Sequence, residues 1–552
     1  MVYSEPGSGV MGGSPMLFKV ENMGEPPMTQ NERPMTYMKN RWQVVKAAGI
    51  LFAGVLAFGS PNSRADDFTM WGRTPDRNMI VTEKGVPTEW DVEKGTNIKW
   101  VAQLGSKSYG NPIINNGVVF VGTNNEAHKD EKFQRDAGVL MAFNEKDGKF
   151  LWQRISAKLP TGRVNDWPGE GLCSTVLCEG GKLYYCTNRC EVVCLDVSPG
   201  TPGYKEVWTT DMIKQFGVFP HNMTSCAILP YENLLFIITG NGVDDTHKHV
   251  VSPNAPAIVC INKADGKLVW SDNSPLDHVL HGQWASPALA MVNGKALVIA
   301  PEGDGWIRAY EAKTGKIVWR FDSNPKDSTY PQTRNEIIAT PVIYKNRMYI
   351  ANGQDPEHGE GPGQFWCIDI TKEGDISFEV DADPNAALPK IGEELVVATD
   401  QAKRPKGKPN PNSGVVWHFS AIGGDAKVLN NSKLPEEKRM NRTIGTAAID
   451  PASGLLFVPD FSGFLHCLNA DTGEHIWTHN LESPIWGSPM ICDGKVYQGS
   501  ENGMVTIFEL SNKDNKIAEH DMGSPVYSTP VYSNGTLYVM TRDKLFAISD
   551  KK

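Results

Sequence analysis

The sequence predicts an all-β protein, an eight-bladed β-propeller of four-stranded antiparallel blades with tryptophan-docking repeats, its ring closed by an N-terminal strand. Three observations lead there. Four segments align without a gap: 142–152 (AFNEKDGKFLW), 260–270 (CINKADGKLVW), 309–319 (AYEAKTGKIVW) and 467–477 (CLNADTGEHIW). Each opens on a small residue that ends one strand, turns through a Gly suited to positive φ, and closes a second strand on Trp. Strand-initiating phrases recur eight times, beginning at Gly110, Cys173, Thr224, Ala285, Ala339, Gly445, Gly487 and Ser528. Between them lie short Val/Ile/Leu/Tyr-rich runs separated by NG, DG and SP, without the three-and-four spacing of a helix. A unit that cannot bury its apolar face alone must stack on its neighbours, and eight four-stranded units make a ring.

Taken in order, residues 1–37 contain no recognisable element and form an upstream extension. Residues 38–65 have the features of a signal peptide: MKNRWQVVK, the uncharged stretch 47–59 (AAGILFAGVLAFG), then Ser63 and Ala65 at a small-x-small cleavage pattern. Thirteen helical residues fall short of the roughly 30 Å apolar layer of a membrane, so the mature chain is expected to begin near Asp66, exported and without a membrane span. Residues 66–552 form the single propeller. The last blade shows only three strands before Lys552, and 97–104 (NIKWVAQL) is expected to supply the fourth and hide both free edges. Blades two and five depart from the template. The second inserts residues before Trp208, and the fifth digresses through a Pro/Lys-rich surface excursion at 381–411.

A net charge of −10 without a basic run excludes a nucleic-acid surface. Blade winding places the loops between blades on the same face as the second-to-third strand turns, opposite the DGK turns. That face gathers 160–171, 217–222, 276–284 and 323–336, together with carboxylates such as Asp304, Asp355 and Glu357 and with His358, and is the expected binding surface. On it, His221 and His281 are pocket candidates or loop-stabilising hydrogen-bonding residues, and Trp284, Trp306 and Trp486 are pocket candidates or plugs of the funnel.

Six of the ten cysteines, Cys173, Cys178, Cys186, Cys190, Cys194 and Cys226, fall in or beside the second blade. Buried thiols or one or two structural disulfides account for them better than zinc, because CxxxCxxxC along two strands is not a CxxC knuckle. Cys186 and Cys190 flank a turn, where their side chains can meet.

The Trp-closing repeat resembles the tryptophan-docking motif of the pyrroloquinoline quinone (PQQ) propellers, the quinoprotein alcohol dehydrogenase-like superfamily, from about residue 70 to the end. That resemblance implies one of two functions. The first is a non-catalytic binding or scaffold module acting through the long-loop face, similar to the propeller lipoprotein of the outer-membrane β-barrel assembly machinery, with an envelope protein or a small molecule as partner. The alternative is a PQQ-dependent dehydrogenase oxidising an alcohol or sugar, with calcium or a lanthanide beside the quinone. For the enzyme, Glu302, Asn335 and Glu336 are the metal candidates, Asp304 the candidate base, and Arg163 and Arg334 the groups available to the acidic quinone. No Cys-Cys pair and no CxxCH occurs, so the family's disulfide lid and a covalent haem are absent. The scaffold lipoprotein's acylated N-terminal Cys is also lacking. The non-catalytic module, as a monomer, is the expected function.

Overall fold

The computed structural model describes residues 67–383, 406–423 and 432–550. The expected signal peptide and residues 384–405 of the excursion lie outside the described residues. Eight antiparallel four-stranded blades occupy 113–157, 177–211, 229–272, 288–322, 342–419, 448–480, 490–521 and 531–548. The eighth takes its outer strand, Ile98–Gln103, from the N-terminal end, paired with Lys544–Ile548 from Ile98↔Ile548 to Gln103↔Lys544. The ring therefore closes as the three-stranded C-terminal blade requires.

The repeat owes its composition to how blades touch. Its first residue pairs directly with its Trp: Ala142 with Trp152, Cys260 with Trp270, Ala309 with Trp319 and Cys467 with Trp477. A small side chain opposite leaves room for the indole to lean toward the next blade. There the ring meets the glycine of that blade's turn: Trp100 on Gly148, Trp208 on Gly266, Trp270 on Gly315 and Trp417 on Gly473. Each of these indole N–H groups donates to the carbonyl three residues before that glycine, namely Glu145, Lys263, Ala312 and Ala470, at 2.9–3.1 Å. These glycines thus serve twice, at a positive φ of 68–75° and as the seat of a neighbour's Trp.

Blade five shows what an interrupted repeat does. Its third-to-fourth connection leaves the ring to form Gly374–Asp375, which runs parallel along Trp319–Arg320, and Glu379–Asp381, which pairs with Gly407–Pro409 at the base of the excursion. Among the described residues no turn glycine receives Trp319, and its buried indole N–H has no hydrogen-bond partner there.

Residues 67–81 occupy the axis, which the sequence pattern did not disclose. In an open propeller the innermost strand of every blade presents an unpaired edge there. Here the N–H groups of Ile114, Cys178, Leu289, Ile343 and Ile491 donate to the carbonyls of Phe68, Thr69, Pro75, Asp76 and Met79 at 2.8–3.0 Å. Asn78 exchanges two side-chain hydrogen bonds with the Ile449 backbone. Arg77, fully buried, donates to the carbonyls of Trp71, Ala227, Ile228 and Pro287. One short segment thus plugs the channel and ties seven blades together through backbone groups. Among the described residues, no helix is long and apolar enough to cross a membrane.

Candidate functional site

Above the plug, on the long-loop face, the axis opens into a cavity of about 410 Å³. Trp71 contributes from the plug, while Tyr109, Trp167, Trp284, Trp486 and Tyr527 come from the connections between blades. Tyr109 stacks on Tyr527 with ring centroids 5.4 Å apart, and Trp486 leans on Tyr527 at 4.9 Å. Glu501 anchors two of these rings, accepting from Trp486 Nε1 at 3.2 Å and from the Tyr527 hydroxyl at 3.3 Å.

Ser and Thr side chains ring the axis two residues before the inner strands of five blades. The hydroxyls of Thr175, Ser286, Thr446, Ser488 and Thr529 each accept a backbone N–H from the preceding blade, at 2.8–3.0 Å. All five residues line the cavity. The Ser and Thr of phrases such as SP and TP therefore staple blades together at the cavity wall, and each hydroxyl still has a proton to donate. Among the described residues, the charged side chains lining the cavity are Glu170, Asp355 and Glu357, all acidic. Burial pushes the Asp355 carboxyl up to about 7.

Beside the cavity, behind Trp284, the loops of blades two to five assemble a group of histidines. His221, His247 and His281 bring one ring nitrogen each to within 4.8 Å of the others. The Nδ1 of His221 bonds the Val243 carbonyl at 2.8 Å, and its Nε2 has no partner. His281 is fully buried with neither nitrogen hydrogen-bonded, its Nδ1 lying 3.7 Å from Glu336 Oε1. Burial holds His221 and His281 down to about 3 and His358 to about 4, so these imidazoles are neutral at ordinary pH. Burial raises Glu336 to about 8.

The structure separates the sequence candidates into groups. Trp284 and Trp486 line the cavity. His221, His281 and Glu336 meet in the histidine group. Arg163 is exposed and covers Trp167, its guanidinium 4.3 Å from the ring. The remainder form a buried polar layer in blades four to six. Glu302 and Asp304 pair with Arg308, and burial raises the Glu302 carboxyl. Trp306 packs against Lys326 at 4.5 Å, Arg334 donates to Asp304 O and Asp322, and Asn335 accepts from Gln354 and Arg442. Residues that the sequence did not single out include Trp71, Tyr109, Glu170, Tyr527 and His247. Their signal was weak because each is a lone residue in a loop. All ten cysteines are buried free thiols, Cys186 and Cys190 included, so no disulfide crosses that turn.

Residues 136–425 and 410–551 match the model of the PQQ-repeat family described as outer membrane protein assembly factor BamB. The chain belongs to this family. Within reach of the BamB-type repeat are both scaffold and redox relatives. An outer membrane protein assembly factor BamB of Kangiella koreensis is 26% identical over 40% of this chain and 50% of its own length. A lupanine 17-hydroxylase of a Pseudomonas species is 24% identical, over 46% of this chain and 36% of its own. A quinohemoprotein alcohol dehydrogenase of Pseudomonas putida is 21% identical, over 57% and 42%. The chain thus spans about a third to a half of these relatives. Among solved structures, a europium-containing methanol dehydrogenase covers 88% of this chain and 98% of its own at 12% identity, with a TM-score of 0.55. A quinohemoprotein alcohol dehydrogenase of Comamonas testosteroni gives 14% identity, 88% and 80% coverage and a TM-score of 0.54. At these identities the likeness establishes the fold.

The cavity does not fit the quinone that the redox relatives bring to mind. PQQ is a polyanion, yet among the described residues lining this cavity there is no Lys or Arg, the charged ones are carboxylates, and Lys107 nearby is spent on one of them, Glu170. Of the oxygen donors expected to hold a hard cation, Glu302 is committed to Arg308, Asn335 to its amide and guanidinium neighbours, and Glu336 stands apart in the histidine group; the candidate base Asp304 is likewise paired with Arg308.

Proposed function

We propose that the protein is a non-catalytic binding propeller that takes an uncharged, hydroxyl-rich ligand, of the saccharide class, into the funnel on its long-loop face. The composition of the cavity carries this reading. Flat aromatic faces suit the C–H faces of a pyranose, the Ser and Thr residues and carboxylates suit its O–H groups, and the described lining offers an anion no basic side chain. The N-terminal stretch 38–65 supports export, which would place such a ligand, or an envelope protein bound at the loop rim, outside the cytoplasm.

The alternative, a PQQ-dependent dehydrogenase, rests on the shared propeller, and one experiment separates the two. Protein from Asp66 onward is titrated with neutral oligosaccharides while tryptophan fluorescence is followed, and separately incubated with PQQ plus calcium or a lanthanide before gel filtration. Saccharide binding that falls about tenfold or more in Trp284→Ala, with no quinone absorbance in the protein peak, is the expected result. Quinone retained at one equivalent, with dye reduction by alcohols, would establish the dehydrogenase instead.

A further inference from the structure

The geometry points to a transition-metal site, outside the funnel cavity, in which His221, His247 and His281 hold one divalent cation of the zinc, copper or nickel type. The three come from three separate connections: between blades two and three, between the second and third strands of blade three, and between blades three and four. Their nitrogens lie within 4.8 Å of one another. Ligand nitrogens around a tetrahedral ion at about 2.0–2.1 Å are about 3.3 Å apart, so small side-chain rotations complete the site.

Two features mark the cluster as built for a ligand rather than filled by chance. Buried polar nitrogens are ordinarily hydrogen-bonded, and leaving one unpaired costs about 1–3 kcal/mol. Yet His221 Nε2 and both nitrogens of His281 are buried without a partner, all in one place. The second feature is tautomer control. Val243 O fixes Nδ1 of His221 as the N–H, so the lone pair of Nε2 is directed away from it, which is how a metal-ligating histidine is ordinarily held. Glu336 Oε1 lies 3.7 Å from His281 Nδ1, too far for a hydrogen bond, and places beside the second ligand a carboxyl that can release its proton to balance a dication. Imidazole donors select borderline cations of the first transition row over calcium or a lanthanide, which favour oxygen. The site therefore differs in ligand type from the oxygen-donor set expected beside a quinone. It does not depend on what occupies the funnel.

The test uses tag-free protein from Asp66 onward, stripped with a chelator and then passed through a desalting column after incubation with zinc. Elemental analysis is expected to find one equivalent of zinc, unaffected by millimolar calcium. Substituting cobalt(II) should give the visible absorption bands of a low-coordinate site. His247→Ala, at a half-buried loop position, should weaken zinc about 100-fold while leaving the metal-free thermal midpoint close to that of the parent, and His281→Asn should also abolish retention. His128→Ala, an exposed histidine in blade one, should retain the full equivalent. Zinc should raise the thermal midpoint of the parent and not of His247→Ala. Absence of bound zinc in the parent, or equal retention by His247→Ala, would overturn the proposal.

Discussion

The indole of Trp270 lies so close to Gly315 of the next blade that a Cβ there would sit 2.7 Å from its Cδ2. Gly315 is also held at φ +71°, so Gly315→Ala meets both strain and overlap and is expected to destabilise by about 1–3 kcal/mol. Trp270→Ala removes the docked ring and its bond to Ala312 O and should cost about 3–5 kcal/mol. Urea midpoints measure both, and parental midpoints would show that the dock carries no stability.

Arg77→Met keeps the length of the side chain and removes its donors, stranding the buried carbonyls of Pro287, Trp71, Ala227 and Ile228. A loss of about 3 kcal/mol or more is expected, together with faster proteolysis within residues 67–97. Cleavage kinetics identical to those of the parent would contradict a plug anchored by this residue.

Stability should pass through a maximum near pH 6.5. Folded Asp355 and Glu336 titrate at about 7 and 8, above their unfolded values, so their contribution is lost as pH rises toward 8. His221, His281 and His358 are depressed to about 3, 3 and 4, so their contribution is present above the unfolded value of about 6.5 and lost as pH falls below it. Thermal midpoints in chelator from pH 4.5 to 8.5 provide the measurement, and Asp355→Asn should flatten the alkaline limb. A midpoint still climbing at pH 8.5 would be inconsistent with both shifts.

A thiol reagent should find almost no reactive cysteine in the native protein and ten after unfolding, with or without prior reduction. Burial drives the thiols upward, Cys190 to about 12, so little thiolate is present to react. Cys173 lines the cavity and should be the first to be labelled. Fewer than ten thiols in the unreduced, unfolded chain would reveal a disulfide.

The ring was legible because its determinants are local and repeated. A small residue, a turn glycine and a Trp at fixed spacing specify one hairpin, and the same three residues specify its junction with the next blade. Blades two and five betrayed themselves by breaking that spacing, and the unpartnered Trp319 is the physical trace of the second break. The plug was hidden because it works through carbonyls, which every residue has, so Arg77 and Asn78 look like ordinary polar residues of an extended segment. The face of the site followed from loop lengths. Its contents did not, since His221, His247 and His281 belong to three connections with no common motif, and whether Glu302 binds a ligand or an arginine depends on Arg308, its neighbour across a turn.

The clasp between Ile98–Gln103 and Lys544–Ile548 also orders events in time. Gln103 Nε2 donates to Asp543 O across 440 positions of sequence, so the first blade strand made is among the last to find its partner. At a synthesis rate of about 5–20 residues per second, that strand waits tens of seconds with its edge open. The newborn chain is therefore an unlatched arc until Lys544–Ile548 has emerged, and loss of that strand would leave Ile98–Gln103 and the inner strands of the eighth blade without their partner at once.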